Sequence, residues 1–552
     1  MFENIQRIPD VVMVENDPAQ PDEMKAGCFR YKDVCVETKC EDDRLAVWVT
    51  AGDSPLCKVR LRWHFAGRLR GQVLGDAWER SYGDLAWHNI LPYQTLPWYA
   101  LVKQVNGTTG YGVRVRPAAI CSWMIDTEGI TLWLDVRCGG EGVLLAGRRL
   151  LAAEVVCRNY KGIGTFEAAQ KFCRTMCSDP ILPEKPVYGS NNWYYAYGRS
   201  SREDVLRDVA YLARLTEGIP NRPYFVIDDC WQRDRYHADG TFEETYNGGP
   251  WTSNAHFGDM GTLAGEIRNM GVIPGIWVRL LQDNSPDIPA SWRLPHNGAL
   301  DPSVPEALEH VKGIVSQIGA WGFRLLKHDF TTFDLMNRWG SEMPYEMADE
   351  GWHFADRSRT SAEIIVALYE AILESASQHD MLVLGCNTIG HLGAGLMHMH
   401  RTGDDTSGLM WERTLRIGVN TLAFRLPQHR AFFDIDADCI GISDLIPWQY
   451  NRQWGRLLAG SGTSLFYSVK PDTLPRDQEE ELAGMLRRNA AAAEPAVPLD
   501  WENTALPQDW LLDGNVATFN WYEPWGLRVG CATGPIWEKV WKEVSRSLRD
   551  PN

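Results

Sequence analysis

The sequence predicts an α/β fold: a (β/α)8 TIM barrel with an N-terminal β-sandwich and a small C-terminal β-domain. Three observations predict it. Strand-like runs fill the amino-terminal third, strand and helix patterns alternate through the middle, and β patterns return at the end. We therefore assign residues 1–180 to the β-sandwich, 181–494 to the barrel and 495–552 to the C-terminal domain.

The amino-terminal region shows the pattern of a β-sandwich. Residues 34–50, 58–69 and 110–136 contain short runs rich in Val, Trp, Tyr and Leu. Gly, Asp and Asn interrupt these runs at 51–53 and 106–107, as expected of turns between antiparallel strands. A linker with three prolines follows, Pro180, Pro183 and Pro186.

The middle region alternates strands with helices. Eight strands are predicted at 187–193, 224–227, 272–278, 323–328, 381–384, 396–400, 421–424 and 464–467. Helices are predicted from 201 to 217, 260 to 271, 303 to 319 and 361 to 377, and Ser201 with Asp204 can form a capping box. Eight strands separated by helices favour a closed barrel. An open doubly wound sheet is the alternative, but no Gly-rich phosphate loop follows the first strand.

The last region returns to strands after a predicted helix at 477–492. Strands are predicted at 510–512, 516–519 and 527–529. These short runs predict a small terminal sheet.

Composition excludes several classes of protein. The 552 residues carry a net charge of −17 and no basic stripe, so we expect no nucleic-acid partner. The sequence shows neither a signal-peptide pattern nor an apolar run long enough for a bilayer, so we expect a cytoplasmic protein without a membrane partner. The 13 cysteines lack metal-ligand spacing, and we expect buried thiols, no metal and no cofactor.

Several predicted strands end in charged side chains. Lys327 and Asp329 lie two residues apart at the end of the strand that begins at Phe323, so both point the same way. Since chemistry in (β/α)8 barrels takes place at the carboxyl ends of the strands, we expect one pocket there. Its predicted lining consists of Asp228, Asp229, Lys327, Asp329, Arg401, Asp404 and Asp405, with Trp193.

Paired carboxylates beside a cation indicate glycoside hydrolysis. That reaction needs one carboxylate as nucleophile or base and one carboxyl as acid. Lys327 would keep Asp329 ionised, which suits a nucleophile, and like-charge repulsion between Asp404 and Asp405 would raise the pKa of an acid. Divalent-metal binding is the rival use of clustered aspartates, but Lys327 and Arg401 would compete with a cation.

Five further residues are weaker candidates for the site. Asn387 and Trp277 sit at strand ends, where they contact either a sugar or the protein itself. Asp405 is either a second choice of acid or a helix cap, and Asp436 lies at the pocket edge or in a solvated loop. Trp78 belongs to a polar and aromatic cluster in the sandwich, which meets the barrel mouth, a neighbouring subunit or its own domain.

In three motifs the chain resembles the retaining α-galactosidases of glycoside hydrolase clan D. The resemblance is mainly to family 36, and it is weaker to families 27 and 31. Val226-Ile227-Asp228-Asp229-Cys230-Trp231 resembles the element that binds sugar hydroxyls. Leu326-Lys327-His328-Asp329 resembles the Lys-x-Asp element that carries the nucleophile. Thr402-Gly403-Asp404-Asp405-Thr406 resembles the element whose first Asp is the acid/base. The chain departs from family 36 at residues 385–391, where the family has a Gly-rich loop that touches the sugar, and at His328.

The resemblance implies an exo-acting hydrolase that releases a terminal α-linked sugar by double displacement. Asp329 would be the nucleophile and Asp404 the acid/base, with no cofactor, an oligosaccharide or glycoconjugate substrate, and a homo-oligomeric assembly. Sugar contacts are expected from Asp228, Asp229, Lys327, Trp193, Arg401, Asn387 and Trp277. The alternatives are an α-glucosidase or α-N-acetylgalactosaminidase on the same scaffold, a metal-dependent barrel hydrolase, and a carbohydrate-binding barrel without catalysis.

Overall fold

The computed structural model describes residues 4–233, 247–491 and 493–527. Its amino-terminal part contains two antiparallel sheets that share one apolar core, as predicted. The six-stranded sheet has the order Leu96–Pro97, Ile120–Ile125, Gly129–Asp135, Lys58–His64, Val11–Val14, Asp17–Pro18. The nine-stranded sheet has the order Gln20–Pro21, Cys28–Tyr31, Val34–Cys40, Leu45–Thr50, Arg149–Tyr160, Gly107–Val113, Tyr99–Gln104, Gln72–Gly75, His88–Asn89.

A helix that the sequence pattern did not predict follows the sandwich. Thr165–Met176 is amphipathic and packs its buried face on the strand Gly107–Val113. Phe172 lies so close to Gly110 that a Cβ there would be 2.4 Å from its ring, so this approach requires glycine.

The middle region forms the predicted barrel of eight parallel strands. In chain order they are Tyr188–Asn191, Tyr224–Ile227, Ile273–Val278, Leu325–His328, Leu382–Gly385, Met399–Arg401, a seventh in two parts (Asp434–Asp436 and Cys439–Gly441), and Leu465–Ser468. The first part of the seventh strand pairs with the sixth, and the second part pairs with the eighth. Because only two residues separate these parts, the two edges of the sheet meet and the barrel closes.

The predicted seventh strand at 421–424 was wrong. Thr421–Arg425 is a short buried helix, and the strand is formed by Asp434–Asp436 and Cys439–Gly441. A short apolar run does not by itself distinguish a buried helix from a buried strand, and the acidic residues of the true strand resembled a loop. The sixth strand also begins later than predicted, at Met399.

The helices surround the barrel. The long ones are Arg202–Leu215, Met260–Asn269, Pro305–Trp321, Ser361–Ser377, Trp448–Gly460 and Arg476–Ala490. The short ones are Trp193–Ala196, Thr331–Met336, Gly390–Gly393 and Trp411–Arg413, with 3-10 or π turns at Ala290–Trp292, Gly340–Glu342, Thr414–Asn420 and Leu426–Gln428. The Ser201 hydroxyl accepts from the Asp204 backbone N–H, which confirms the N-cap hydrogen bond of the predicted capping box. Within the described residues, no helix combines the length and apolar character needed to cross a membrane.

A three-stranded antiparallel sheet ends the described chain. It is formed by Val497–Pro498, Asp509–Leu512 and Asn515–Thr518. The predicted strand at 527–529 extends outside the described residues.

Candidate active site

The carboxyl ends of the barrel strands bring the predicted charged residues together. The second, fourth, sixth and seventh strands each contribute side chains, because parallel strands in a closed barrel all end at the same mouth. The aspartates of this cluster are buried: Asp228, Asp229, Asp329, Asp404, Asp436 and Asp438.

Asp329 follows the fourth strand and is held by two donors. The indole Nε1 of Trp277 donates to its Oδ2 at 3.2 Å, and the Phe330 backbone N–H donates to its Oδ1 at 2.7 Å. Burial raises the pKa of the Asp329 carboxyl, but the charges of Arg80 and Lys327 outweigh it, so the pKa lies below its usual value. Asp329 is therefore a buried carboxylate that stays ionised at neutral pH.

Lys327 forms a buried ion pair with Asp228 rather than with Asp329. Its Nζ lies 2.8 Å from Asp228 Oδ2, which also accepts from Asn191 Nδ2 at 2.6 Å. Burial lowers the pKa of Lys327, yet the Asp228 charge outweighs it and the pKa is raised well above its usual value. Asp229 is fixed separately, because its Oδ1 accepts from Gln232 Nε2 at 2.7 Å. The predicted sugar-binding aspartates thus occupy rigid positions at the mouth.

Asp404 follows the sixth strand and lies between two arginines. Arg80 Nη2 is 2.8 Å from its Oδ1, and Arg413 Nη2 is 3.0 Å from its Oδ2. Burial raises the pKa of the Asp404 carboxyl, but Arg80 and Arg413 outweigh it, so the pKa lies below its usual value. These two arginines therefore favour the ionised form of the Asp404 carboxyl.

Asp405 occupies a different environment from its neighbour. Burial, together with the charges of Asp438 and Asp404, raises its pKa to about 6, although Arg401 opposes this. Arg401 Nη2 lies 3.2 Å from Asp405 Oδ1 and 3.0 Å from Asp438 Oδ2, and it donates to the Asp404 backbone carbonyl at 3.0 Å. Arg401 therefore fixes the main chain at Asp404, while its ion pairs go to Asp405 and Asp438.

A segment of the sandwich reaches the same mouth. Ser81 pairs with Gly403 in a parallel β-bridge, and its N–H donates to the Thr402 carbonyl at 2.9 Å. The residues before it, Glu79 and Arg80, are both buried. Of the placements left open for the Trp78 cluster, the structure shows contact with the barrel mouth.

Three of the candidate residues make contacts within the protein. Asn387 is fully buried, and its amide joins Glu79 Oε2 to the Phe333 backbone N–H, so it fixes the sandwich segment. Trp277 is 2% exposed and donates its only side-chain N–H to Asp329. Trp78 donates to the Met343 carbonyl at 2.5 Å and packs edge-on against Trp98.

The other two candidates lie at the edge of the cluster. Trp193 is half-buried beside Tyr197, with ring centroids 5.5 Å apart, directly after the first strand. Asp436 accepts from the Asp438 backbone N–H at 2.9 Å, and burial raises its pKa. Asp436 therefore shapes the turn of the seventh strand.

Four residues that contact this cluster were not among the candidate site residues, although Glu79 and Arg80 belong to the Trp78 cluster, for which the barrel mouth was one expected placement. Arg413 lies nine residues beyond Asp404, and Cys386 accepts from Arg401 Nη1 at 3.4 Å. Glu79 and Arg80 lie more than 300 residues before Asp404 in the chain, and no local sequence pattern indicates a contact at that separation. The only signal in the sequence was their position within a polar and aromatic cluster of the sandwich.

The donor set does not resemble a metal centre. Among the described residues, no group of three or more His, Cys, Asp or Glu side chains is arranged to hold a metal ion. The carboxylates are instead matched with cations, Asp228 with Lys327 and Asp404 with Arg80 and Arg413. Such an arrangement holds two carboxyls at fixed positions for nucleophilic and acid-base chemistry.

The fold is similar to that of solved glycoside hydrolases. The α-galactosidase from Thermus thermophilus, solved with p-nitrophenyl α-D-galactopyranoside, matches at 17% identity and a TM-score of 0.58, over 88% of this chain and 96% of that one. The family 36 α-galactosidase AgaA from Geobacillus stearothermophilus matches at 14% identity and a TM-score of 0.57, over 87% and 75%. A family 31 sulfoquinovosidase from E. rectale matches at 12% identity and a TM-score of 0.56, over 92% and 86%.

These similarities concern structure rather than sequence. No protein-family model matches the chain, and a search of curated proteins found no match. At such low identities the similarity shows a shared fold, which confirms the predicted barrel with additional β-domains.

Proposed function

We propose that this chain is a retaining α-glycoside hydrolase that releases a terminal α-linked sugar by double displacement. One observation carries the proposal. The ionised carboxylate of Asp329 and the buried carboxyl of Asp404 lie at the mouth of one barrel, and the positive charge of Arg80 lowers the pKa of both. A carbohydrate-binding barrel without catalysis has no need for that pair.

In the first step Asp329 attacks the anomeric carbon. A bond forms between its carboxylate oxygen and that carbon, while the bond from the carbon to the leaving oxygen breaks. The low pKa of Asp329 makes it available as a nucleophile, and the donors Trp277 and Phe330 hold it in one orientation. Asp404 gives its proton to the leaving oxygen.

In the second step water attacks the glycosyl-enzyme. Asp404, now ionised, takes a proton from the water, the new bond forms at the anomeric carbon, and Asp329 leaves with its electron pair. Arg80 and Arg413 both stabilise the Asp404 carboxylate, which is the state that this step needs. The first step requires the substrate to displace part of that contact so that Asp404 holds a proton.

Asp405 is the second candidate for the acid. The observation that favours it is its pKa of about 6, which keeps it partly protonated near neutral pH. The two assignments differ in the effect of replacing each residue by Asn.

Leaving groups of different basicity distinguish the two acids. A 2,4-dinitrophenyl glycoside departs without a proton, whereas an alkyl glycoside needs one. Asp404→Asn should lose ~10²- to 10⁴-fold in kcat/KM on the alkyl glycoside but retain most of its kcat/KM on the dinitrophenyl glycoside. Its kcat on the dinitrophenyl glycoside should fall, because the second step lacks its base. Added azide should restore turnover and give a glycosyl azide of retained configuration. Finding that signature in Asp405→Asn instead would transfer the role of acid to Asp405.

The sugar is proposed to be held at the second and fourth strands. Asp228 and Asp229 would accept from adjacent hydroxyls in charge-assisted hydrogen bonds, and Lys327, which is paired with Asp228, would donate to a third. Trp193 would provide an apolar wall. We propose α-galactose as the sugar, because the three motifs resemble the α-galactosidases and structural neighbours were solved with an α-galactoside and with stachyose.

A panel of chromogenic substrates tests the proposed function. It contains α-galactoside, α-glucoside, N-acetyl-α-galactosaminide and α-sulfoquinovoside, because structural neighbours include enzymes of more than one of these classes. The expected result is turnover of the α-galactoside, with release of the α-anomer first by NMR. Turnover of another member would change the sugar but keep the mechanism, whereas first release of the β-anomer would contradict it.

Asp329→Asn separates catalysis from binding. It should abolish turnover while leaving the thermal melt close to that of the parent chain. The matched control is Asp208→Asn, another buried aspartate that contacts Tyr195 outside the cluster and should leave turnover unchanged. If Asp329→Asn hydrolysed substrate normally, the proposed nucleophile would be wrong.

A further inference from the structure

The sandwich segment from Glu79 to Tyr82 is joined to the chain that carries Asp404. The Asp404 backbone N–H donates to the Ser81 carbonyl at 3.3 Å, and the Ser81 N–H donates to the Thr402 carbonyl at 2.9 Å. These two hydrogen bonds extend the sixth barrel strand with residues from another domain. The position of the Asp404 main chain therefore depends on the sandwich.

Glu79 anchors this segment to the barrel loops. Its carboxylate is fully buried and accepts from the Gly340 N–H at 2.9 Å, from the Tyr82 hydroxyl and from Asn387 Nδ2. Each donor comes from a different part of the chain, so the carboxylate ties the sandwich to the loops after the fourth and fifth strands. This anchor leaves the next residue, Arg80, pointing to the cluster.

Arg80 is held by contacts on several sides. Its side chain is 3% exposed, its Nη2 lies 2.8 Å from Asp404 Oδ1, and its Nη1 lies 3.9 Å from Cys386 Sγ. The Trp339 and Tyr82 rings lie 5.4 and 5.8 Å from the guanidinium carbon. A guanidinium held in this way has one available position, unlike a lysine ammonium on a mobile stem.

Burying these charges is costly for the fold. Desolvation of a buried ion pair consumes much of its electrostatic attraction, and apolar side chains could fill the same volume without loss of stability. The ionic arrangement of Arg80 with Asp404 is therefore better explained by its effect on the catalytic carboxyls than by stability.

We propose that Arg80 is a positioning residue of the active site, supplied by the sandwich, which fixes Asp404 and provides one positive charge that acts on both catalytic carboxyls. The proposal rests on the function proposed above and adds a residue outside the barrel to it. It makes the sandwich part of the catalytic apparatus rather than an attached module.

Other charges face the same groups and enter the pH dependence. Those that face Arg80, Asp329 or Asp404 are Glu79, Tyr82, Lys327, His328, Asp334, Cys386, Arg401, Asp405 and Arg413. Arg80 contributes the largest attractive charge to both Asp329 and Asp404. Removing it should therefore raise the pKa of both carboxyls together, and the two pH limits of the reaction belong to the coupled pair.

The test is the pH profile of kcat/KM for Arg80→Met and Arg80→Lys on the substrate that the parent enzyme accepts. The acidic limb reports ionisation of the nucleophile and the basic limb reports loss of the acid's proton, so both should move to higher pH by about one unit in Arg80→Met. Arg80→Lys retains the positive charge, so both limbs should lie close to their positions in the parent enzyme. In Arg80→Met, kcat should fall ~100-fold through misplacement of Asp404, while KM changes little.

Arg137→Met is the matched control. Arg137 is a similarly buried arginine of the sandwich that reaches a barrel loop, with its Nη2 3.1 Å from Glu346 Oε2, and it contacts none of the catalytic carboxyls. It should lose stability without moving either limb. If Arg80→Met does not fold, the neutral Arg80→Gln replaces it in the same measurement.

The outcomes separate this inference from the proposed function. The role of Arg80 would be overturned if both limbs of the pH profile stayed in place in the neutral Arg80 variant, or if they moved equally in Arg137→Met. Either result would still leave a working glycosidase. A parent enzyme without turnover on any α-glycoside would instead contradict the proposed function, and the role of Arg80 with it.

Discussion

The hydrogen bond from Trp277 to Asp329 gives the sharpest quantitative prediction. Trp277→Phe removes the indole Nε1 that lies 3.2 Å from Asp329 Oδ2 and keeps an aromatic ring against Trp251 and Phe330. A hydrogen bond to a charged group contributes ~1.5–3 kcal/mol, and the long distance here favours the lower end. Since one pKa unit equals about 1.4 kcal/mol, the pKa of Asp329 should rise by about one unit.

The assay is the acidic limb of kcat/KM against pH. Loss of a donor to the ionised form raises the pKa, so the limb should move about one unit toward higher pH in Trp277→Phe. The basic limb, which depends on the acid, should stay in place. A limb that does not move would show that Trp277 does not stabilise the ionised nucleophile.

Trp251→Phe is the matched control for this prediction. Its ring centroid lies 6.1 Å from that of Trp277, it is also buried, and within the described part of the chain its Nε1 has no hydrogen-bond partner. It should lose comparable packing and leave the acidic limb unchanged. An equal movement in both variants would assign the effect to packing instead.

Two further predictions concern stability. Lys327→Met leaves Asp228 buried without its cation and should lower the free energy of unfolding by ~3–5 kcal/mol, seen as a lower Tm. The double variant Asp228→Asn/Lys327→Met should recover much of that stability. A double variant that loses the sum of both single effects would contradict the pairing. Burial raises the pKa of Asp208 to about 7, above its unfolded value of about 3.9, so its stabilising contribution is full below pH ~4 and lost as pH rises through 7. Asp208→Asn should therefore have a higher Tm than the parent above pH 7 and an equal one near pH 4, and an equal Tm across the whole range would refute this.

Most of the barrel was predictable from the sequence because its strands are apolar runs bounded by local turn and helix-capping residues. Tyr224–Ile227 was predicted at its observed bounds, and the cap at Ser201 is a local signal that survives in the structure. The seventh strand was missed because Asp434–Asp436 is stabilised by its neighbours in the sheet rather than by its own composition. Thr421–Arg425 was misassigned because its burial, not its period, decides its structure.

The candidate site was predictable only in part, for the same physical reason. Asp228, Asp329 and Asp404 follow strands, so their shared location follows from topology. The partners of these acids depend on long-range packing. Lys327 lowers the pKa of Asp329, as expected, but its ion pair is with Asp228. Arg80 reaches Asp404 across more than 300 residues of chain. No local pattern encodes either contact.

Trapping of the glycosyl-enzyme tests the central claim most directly. A fluorinated glycosyl fluoride of the accepted sugar slows the second step, so the covalent intermediate accumulates and can be located by mass spectrometry of proteolytic peptides. We expect the peptide that contains Asp329 to gain the mass of one fluorinated sugar, and Asp329→Asn to gain none. A label on another residue, or turnover with an inverted product and no label, would contradict Asp329 as the nucleophile of a retaining hydrolase.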